Sequence, residues 1–136
     1  MTDKELIAKK LALIETCVQQ LRQLARPSAI ASDVREERFV EHTLQIAIQA
    51  ALDVASHIVS DERLGEPRTN RELFDLLERR GWITSALAAT MRRMVGFRNI
   101  LVHGYEIVDV AIVVEIVGRG LEDLLAFVAA IRARLS

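Results

Sequence analysis

The chain is poor in the residues that staple, break or anchor a fold. It has one cysteine, Cys17, and two prolines, Pro27 and Pro67. A disulfide framework and a cysteine-based zinc site are therefore excluded. Helices can run uninterrupted through most of the chain. Aromatic residues make up only 4%, so aliphatic side chains must build the core. No uncharged run exceeds eleven residues, the length of Gly81 to Met91, far short of the roughly 18 to 20 that span a bilayer. No charged-then-apolar leader opens the chain, so a cytoplasmic protein with no membrane association is expected. Net charge is −1, which argues against a generally basic protein that coats nucleic acid.

What is present is helical periodicity. At 136 residues and 51% apolar content, the chain fits a single domain over residues 1–136 with a substantial core. Ile7, Leu11, Ile14, Val18, Leu21 and Ala25 step by four and three, a bundle seam on a first helix that Thr2 or Asp3 can cap and that runs to about Arg26. Cys17 lies on the same side and reads as core filler. A long second helix can be capped by Ser32 or by Asp33, the latter with Glu36 making a possible capping box, and reaches about Ser60. It carries two apolar seams, Val40 to Ile58 and Ile48 to Val59, enough to bury against more than one neighbour. Thr69 and Glu72 cap a short third helix that stops at Arg80 and Gly81, Trp82 and Ile83 pack the turn, and Thr84 caps a fourth helix. A fifth helix begins near Asp109 with the seam Val110, Val114, Val117, Leu121, Leu124, Val128, Ile131 and Leu135. Gly118 and Gly120 mark a weak point or kink in it. The expected architecture is all-α: an antiparallel up-and-down helical bundle of four long helices and one short one.

Polar residues interrupt this pattern in two places. On the second helix, Gln45, Gln49, Asp53 and His57 step by four along one line. Asp53 has two readings: a solvent-facing carboxylate, or the partner of a desolvated arginine such as Arg98. In the second case its loss costs on the order of 3 kcal/mol or more. His42 and His57 lack metal-ligand spacing and read as surface or rim residues; no metal site and no cofactor is expected.

The second interruption is Met94 to Tyr105, MVGFRNILVHGY. Arg98 falls on the core-facing row of Leu87, Met91, Met94 and Leu101, and Gly104 is a helix stop just after His103. Between Arg79 and Tyr105 there are five arginines and no acidic residue. That local excess can form a positive cleft for RNA, with Arg92 and Arg93 as contacts, or a solvated arginine face. An arginine supplies a permanently charged planar fork for phosphate, and a histidine exchanges protons near neutral pH. Together they suit cleavage of RNA, whose own 2′-hydroxyl is the nucleophile, without a metal. One imidazole per chain falls short of a base plus an acid, and a dimer would supply the second. The competing reading is a polar network of Arg98, Asn99 and Tyr105, with His103 capping carbonyls at the helix end.

The run Arg98-Asn99-Ile100-Leu101-Val102-His103-Gly104-Tyr105 matches the R-x4-H-x-Y signature of the HEPN superfamily. With its lead-in and helical context it resembles the HepT-like toxins over nearly the whole chain. The resemblance implies a helical bundle that forms a homodimer, with the motifs of both chains lining a shared cleft. It implies the toxin of a type II/VII-like toxin–antitoxin system: a metal-independent endoribonuclease paired with a minimal nucleotidyltransferase antitoxin. Arg98 would then hold the scissile phosphate, His103 would do acid–base work, and Asn99 would help orient them, with Asp53 as a second supporting residue. Tyr105 matches the tyrosine that such antitoxins modify with AMP, which adds bulk and negative charge. The alternative within the same fold is a non-catalytic module that binds nucleotide or a nucleotidyltransferase.

Overall fold

The computed structural model describes residues 3–103 and 108–136. Gly104, Tyr105 and Thr2 therefore lie outside the described residues. Helix α1 spans Lys4–Leu24, α2 Val34–Asp61, α3 Asn70–Arg79 and α4 Ser85–His103. The last rod consists of α5, Val110–Glu115, a π turn over Ile116–Gly120, and α6, Leu121–Leu135. A short 3₁₀ turn, Pro27–Ala29, links α1 to α2. There is no strand among the described residues.

The caps follow the expected side chains with one change of partner. Asp3, Asp33, Thr69 and Asp109 each accept a hydrogen bond from a first-turn backbone N–H, and Thr84 accepts from Leu87 N at 3.2 Å. Each bond satisfies a donor that the helix itself leaves open. The reciprocal half of the capping boxes goes elsewhere. Glu36 accepts from Arg26 N at 2.9 Å and Glu72 from Arg68 N at 2.6 Å, so each glutamate ties the preceding loop to its helix. Gly81 ends the α3 turn at φ +75°, a left-handed conformation in which a Cβ is strained.

Both seams of α2 are buried within the chain, each residue at 3% exposure or less. Its neighbours are α1, α3, α4 and α6. The wide apolar surface is thus consumed inside one chain and does not by itself provide an interface to a second. The α1 seam is equally buried from Ile7 to Leu21, with Cys17 among it. Burial also raises the Cys17 thiol pKa. Phe74 of α3 meets Phe127 of α6 edge to face, ring centroids 5.9 Å apart. Lys4, Glu62, Trp82 and Arg134 share one depression, which places the start of α1, the end of α2, the start of α4 and the end of α6 at one end of an antiparallel bundle. The Arg134 guanidinium lies 5.1 Å from the Trp82 ring centroid there.

The expected kink at Gly118 and Gly120 takes the form of a π turn, and it shifts the seam. C-terminal to it, Leu121, Leu124, Val128 and Ile131 are buried as the spacing requires. N-terminal to it, Val113 is fully buried and Val114 is 37% exposed. A π turn takes up an extra residue, so the apolar face before it moves back by one position. Gly120 permits the close approach: a Cβ there would stand 3.1 Å from Met94 Cε of α4.

Candidate active site

Helix geometry puts Gln45, Gln49 and Asp53 on one line of α2, and α4 lies alongside it. Arg98, one turn before the end of α4, is half-buried and donates from Nη2 to Gln49 Oε1 at 2.5 Å. Gln49 Nε2 donates to Asp53 Oδ1 at 2.9 Å, and Lys10 Nζ of α1 donates to Asp53 Oδ2 at 3.1 Å. Arg98 Nη1 donates to Asn99 Oδ1 at 3.3 Å. A run of polar contacts therefore crosses three helices, from Lys10 through Asp53 and Gln49 to Arg98.

This arrangement revises the direct Asp53–Arg98 pairing expected from sequence. Asp53 sits about 6 Å further along α2 than Gln49, and its carboxylate is taken by Lys10 and Gln49. It is neither a free solvent-facing acid nor the immediate partner of Arg98. Lys10 and Asp53 are each about one third exposed, 33% and 32%, so the pair is only partly desolvated.

The arginines of the basic stretch divide. Arg92 is bound by α3, its Nη1 lying 2.6 Å from Asp75 Oδ1 and 3.5 Å from Glu78 Oε1. Its charge is compensated, so of the two adjacent arginines expected to contact RNA it is the less available. Arg93 is exposed, donates to Thr90 Oγ1 at 3.2 Å, and has no ion pair among the described residues. His103 is exposed in the last turn of α4, five residues beyond Arg98. Asn99 is half-buried between them.

Two open depressions flank the polar line of α2. One of about 210 Å³ is lined by Lys10, Leu13, Gln45, Gln49 and Asp53; the other, of about 500 Å³, by Arg38, Glu41, His42, Gln45 and Leu101. In the second, burial and the adjacent Glu37 carboxyl push the Glu41 pKa up to about 7. Glu41 Oε2 and Arg98 Nε are buried without a hydrogen-bond partner among the described residues. No described group of three His, Cys, Asp or Glu residues has the arrangement of a metal site.

A model of the ribonuclease HepT-like family matches residues 14–131. The chain belongs to the ribonuclease HepT-like family. It is 35% identical over 130 residues to the mRNA nuclease HepT of Shewanella oneidensis (strain MR-1), covering 95% of this chain and 98% of that one. It is 32% identical over 106 residues to the tRNA nuclease HepT of Aphanizomenon flos-aquae, covering 76% and 72%. A solved structure of a tri-AMPylated Shewanella oneidensis HEPN toxin in complex with an MNT antitoxin superposes with a TM-score of 0.89 at 35% identity, over 98% of this chain and 99% of that one. The all-α bundle is thus the HepT-like fold.

Within this HepT-like bundle, sequence reading located Arg98, Asn99, His103 and Asp53, and the structure brings Arg98, Asn99 and Asp53 into one connected group. It missed Gln49 and Lys10 as members. Gln49 carried a signal, since it lies one turn before Asp53 on the same polar line. Lys10 carried none, being 43 residues from its partner in the chain. Among the described residues, no helix is long and apolar enough to cross a membrane.

Proposed function

We propose that this chain is the toxin of a toxin–antitoxin pair, a cytoplasmic metal-independent endoribonuclease whose residues 1–136 act as one HEPN-like domain. The observation that carries the reading is the setting of Arg98. It is held at two points by neutral oxygens, those of Gln49 and Asn99, so its positive charge is oriented without being neutralised. An arginine that only closed a structural ion pair would meet a carboxylate, as Arg92 does.

In the proposed reaction a base removes the proton of the 2′-hydroxyl, the 2′-oxygen attacks the adjacent phosphorus, and the 5′-oxygen leaves with a proton from an acid. The products are a 2′,3′-cyclic phosphate and a 5′-hydroxyl. Arg98 steadies the extra negative charge on the phosphoryl oxygens at the transition state, and His103 transfers protons. Asn99 fixes the guanidinium together with the residues behind it, with Asp53 as support. Arg93, and to a smaller extent Arg92, hold the RNA backbone.

Because one chain brings one His103, a homodimer that sets two motifs face to face supplies base and acid together. The partner expected outside the homodimer is a minimal nucleotidyltransferase antitoxin. It transfers AMP to Tyr105, two residues beyond His103, and silences the site by bulk and negative charge.

Purified protein incubated with RNA in EDTA tests the mechanism. Cleavage that leaves cyclic phosphate ends is expected, with activity lost in His103→Ala. Activity lost in EDTA and restored by magnesium would overturn metal independence. A fully active His103→Ala protein would remove the proton carrier, and no cleavage by the wild type would favour a non-catalytic module that binds nucleotide or a nucleotidyltransferase. Light scattering at micromolar concentration is expected to give a dimer; a monomer would remove the composite site.

A further inference from the structure

We infer that Gln49 is the positioning residue for Arg98, and that Asp53 and Lys10 serve to set the orientation of its amide without adding negative charge to the phosphate site. The consequence for turnover rests on the nuclease reading above; the holding of Arg98 does not.

A glutamine side chain has one accepting oxygen and one donating nitrogen, and its neighbours decide which way round it lies. Asp53 can only accept, so Gln49 must turn Nε2 toward it, as it does at 2.9 Å. Oε1 is thereby directed at Arg98, which can only donate. The reversed amide would set a donor against the guanidinium and an oxygen against the carboxylate, losing both bonds at once. Lys10 takes the other Asp53 oxygen from α1.

The charge balance gives the arrangement its purpose. Lys10 and Asp53 cancel, Gln49 and Asn99 are neutral, and the group keeps a net charge of +1 located on Arg98. A carboxylate in place of Gln49 would grip the guanidinium more strongly but would offset the charge a phosphate must find there. Gln49 thus holds an arginine still while leaving its field intact, which is what electrostatic stabilisation of a transition state requires.

The test compares the wild type with Gln49→Leu, Gln49→Glu, Asp53→Asn and the double variant Gln49→Glu/Asp53→Asn, with melting curves recorded on every sample. The first readout is ¹⁵N NMR of the Arg98 guanidinium, which needs no activity. Rotation of the Nη groups should be at least ~10-fold faster in Gln49→Leu, the loss of one charge-assisted hydrogen bond. The second is RNA cleavage in EDTA. In Gln49→Leu, kcat should fall by ~10²-fold with KM little changed, because the charge remains but is misplaced.

Gln49→Glu alone sets two carboxylates against each other. Adding Asp53→Asn restores a donor facing an acceptor at each link, with Lys10 now bonded to the amide oxygen. The double variant should hold Arg98 better than Asp53→Asn alone, in which the Gln49 amide is no longer forced to turn its oxygen toward Arg98. Equal Arg98 rotation in wild type and Gln49→Leu, an unchanged kcat in Gln49→Leu, or a double variant no better than Asp53→Asn alone would each overturn the inference. So would an activity loss that merely tracks unfolding while Arg98 rotation in the native fraction is unaltered. If the wild type cleaves no RNA, the nuclease reading fails, and the rotation measurements still decide whether Gln49 holds Arg98.

Discussion

The two halves of α4 treat arginine in opposite ways. In the first half Arg92 meets Asp75 and Glu78 of α3, two carboxylates for one guanidinium. In the second half Arg98 meets Gln49 and Asn99, two neutral oxygens. The first arrangement fastens α3 to α4 and uses up the charge. The second fixes a guanidinium and leaves its charge for something outside the chain. On the proposed function, the choice of partner separates a structural arginine from a catalytic one more clearly than burial does, since both residues are half-buried.

The strongest way to break this comparison is to remove each arginine in turn. Arg98→Ala should lower RNA cleavage by about 10³-fold or more, whereas Arg92→Ala should leave kcat within about 2-fold. Similar losses in the two would erase the distinction. His103→Ala should lower cleavage by about 10² to 10⁴-fold with little change in the melting temperature, because the side chain is exposed.

Stability effects come next and are smaller. Asp53→Ala removes a part-exposed ion pair and one glutamine contact, so a loss of about 1–2 kcal/mol is expected in chemical denaturation. That is below the 3 kcal/mol or so anticipated for a direct, desolvated pair with Arg98.

Glu41 sharpens the contrast along α2, since there a like-charged neighbour replaces a matched partner. Its pKa is raised to about 7 by burial and by Glu37. The folded state therefore binds its proton more tightly than the unfolded chain. The resulting stabilisation is complete below the ordinary glutamate range near 4.5 and is lost as pH rises through about 7. Glu41→Gln should flatten the fall in stability between pH 5 and pH 8 and raise it at pH 8 by about 1 kcal/mol, discounted for the exposed part of the side chain. An unchanged pH profile of the melting temperature would remove Glu41 from this account. The smallest effect is that of Arg92→Ala on stability, under about 1 kcal/mol. Arg93→Ala should instead reduce the salt dependence of RNA binding by about 0.7 in log–log slope, one lost phosphate contact.

Much of the bundle could be read from periodicity. The α1 and α2 seams name the buried residues, and Asp3, Asp33, Thr69 and Thr84 stand where helices begin. These features are local: each depends on residues within two turns of one another. The exception on the apolar side is Val113. A seam counted in steps of three and four selects Val114, and only the π turn, whose wide backbone no residue count announces, exchanges the two.

The motif from Arg98 to His103 was legible because Arg98 sits where a core row calls for an apolar residue and His103 stands just before the helix stop at Gly104. The Gln45, Gln49, Asp53 and His57 line was legible as a polar stripe on an otherwise apolar helix. Sequence by itself determined which residues lie on which helix face and that an arginine and a histidine stand near one helix end. Only the tertiary structure decided which of those residues meet. The packing of α1, α2 and α4 brought Lys10 to Asp53 across 43 positions and set Gln49 in place of Asp53 against Arg98, and the packing of α3 on α4 drew Arg92 to Asp75. Helical periodicity fixes the direction of a side chain around its own axis, whereas a hydrogen bond between helices also depends on how far each rod slides along the next.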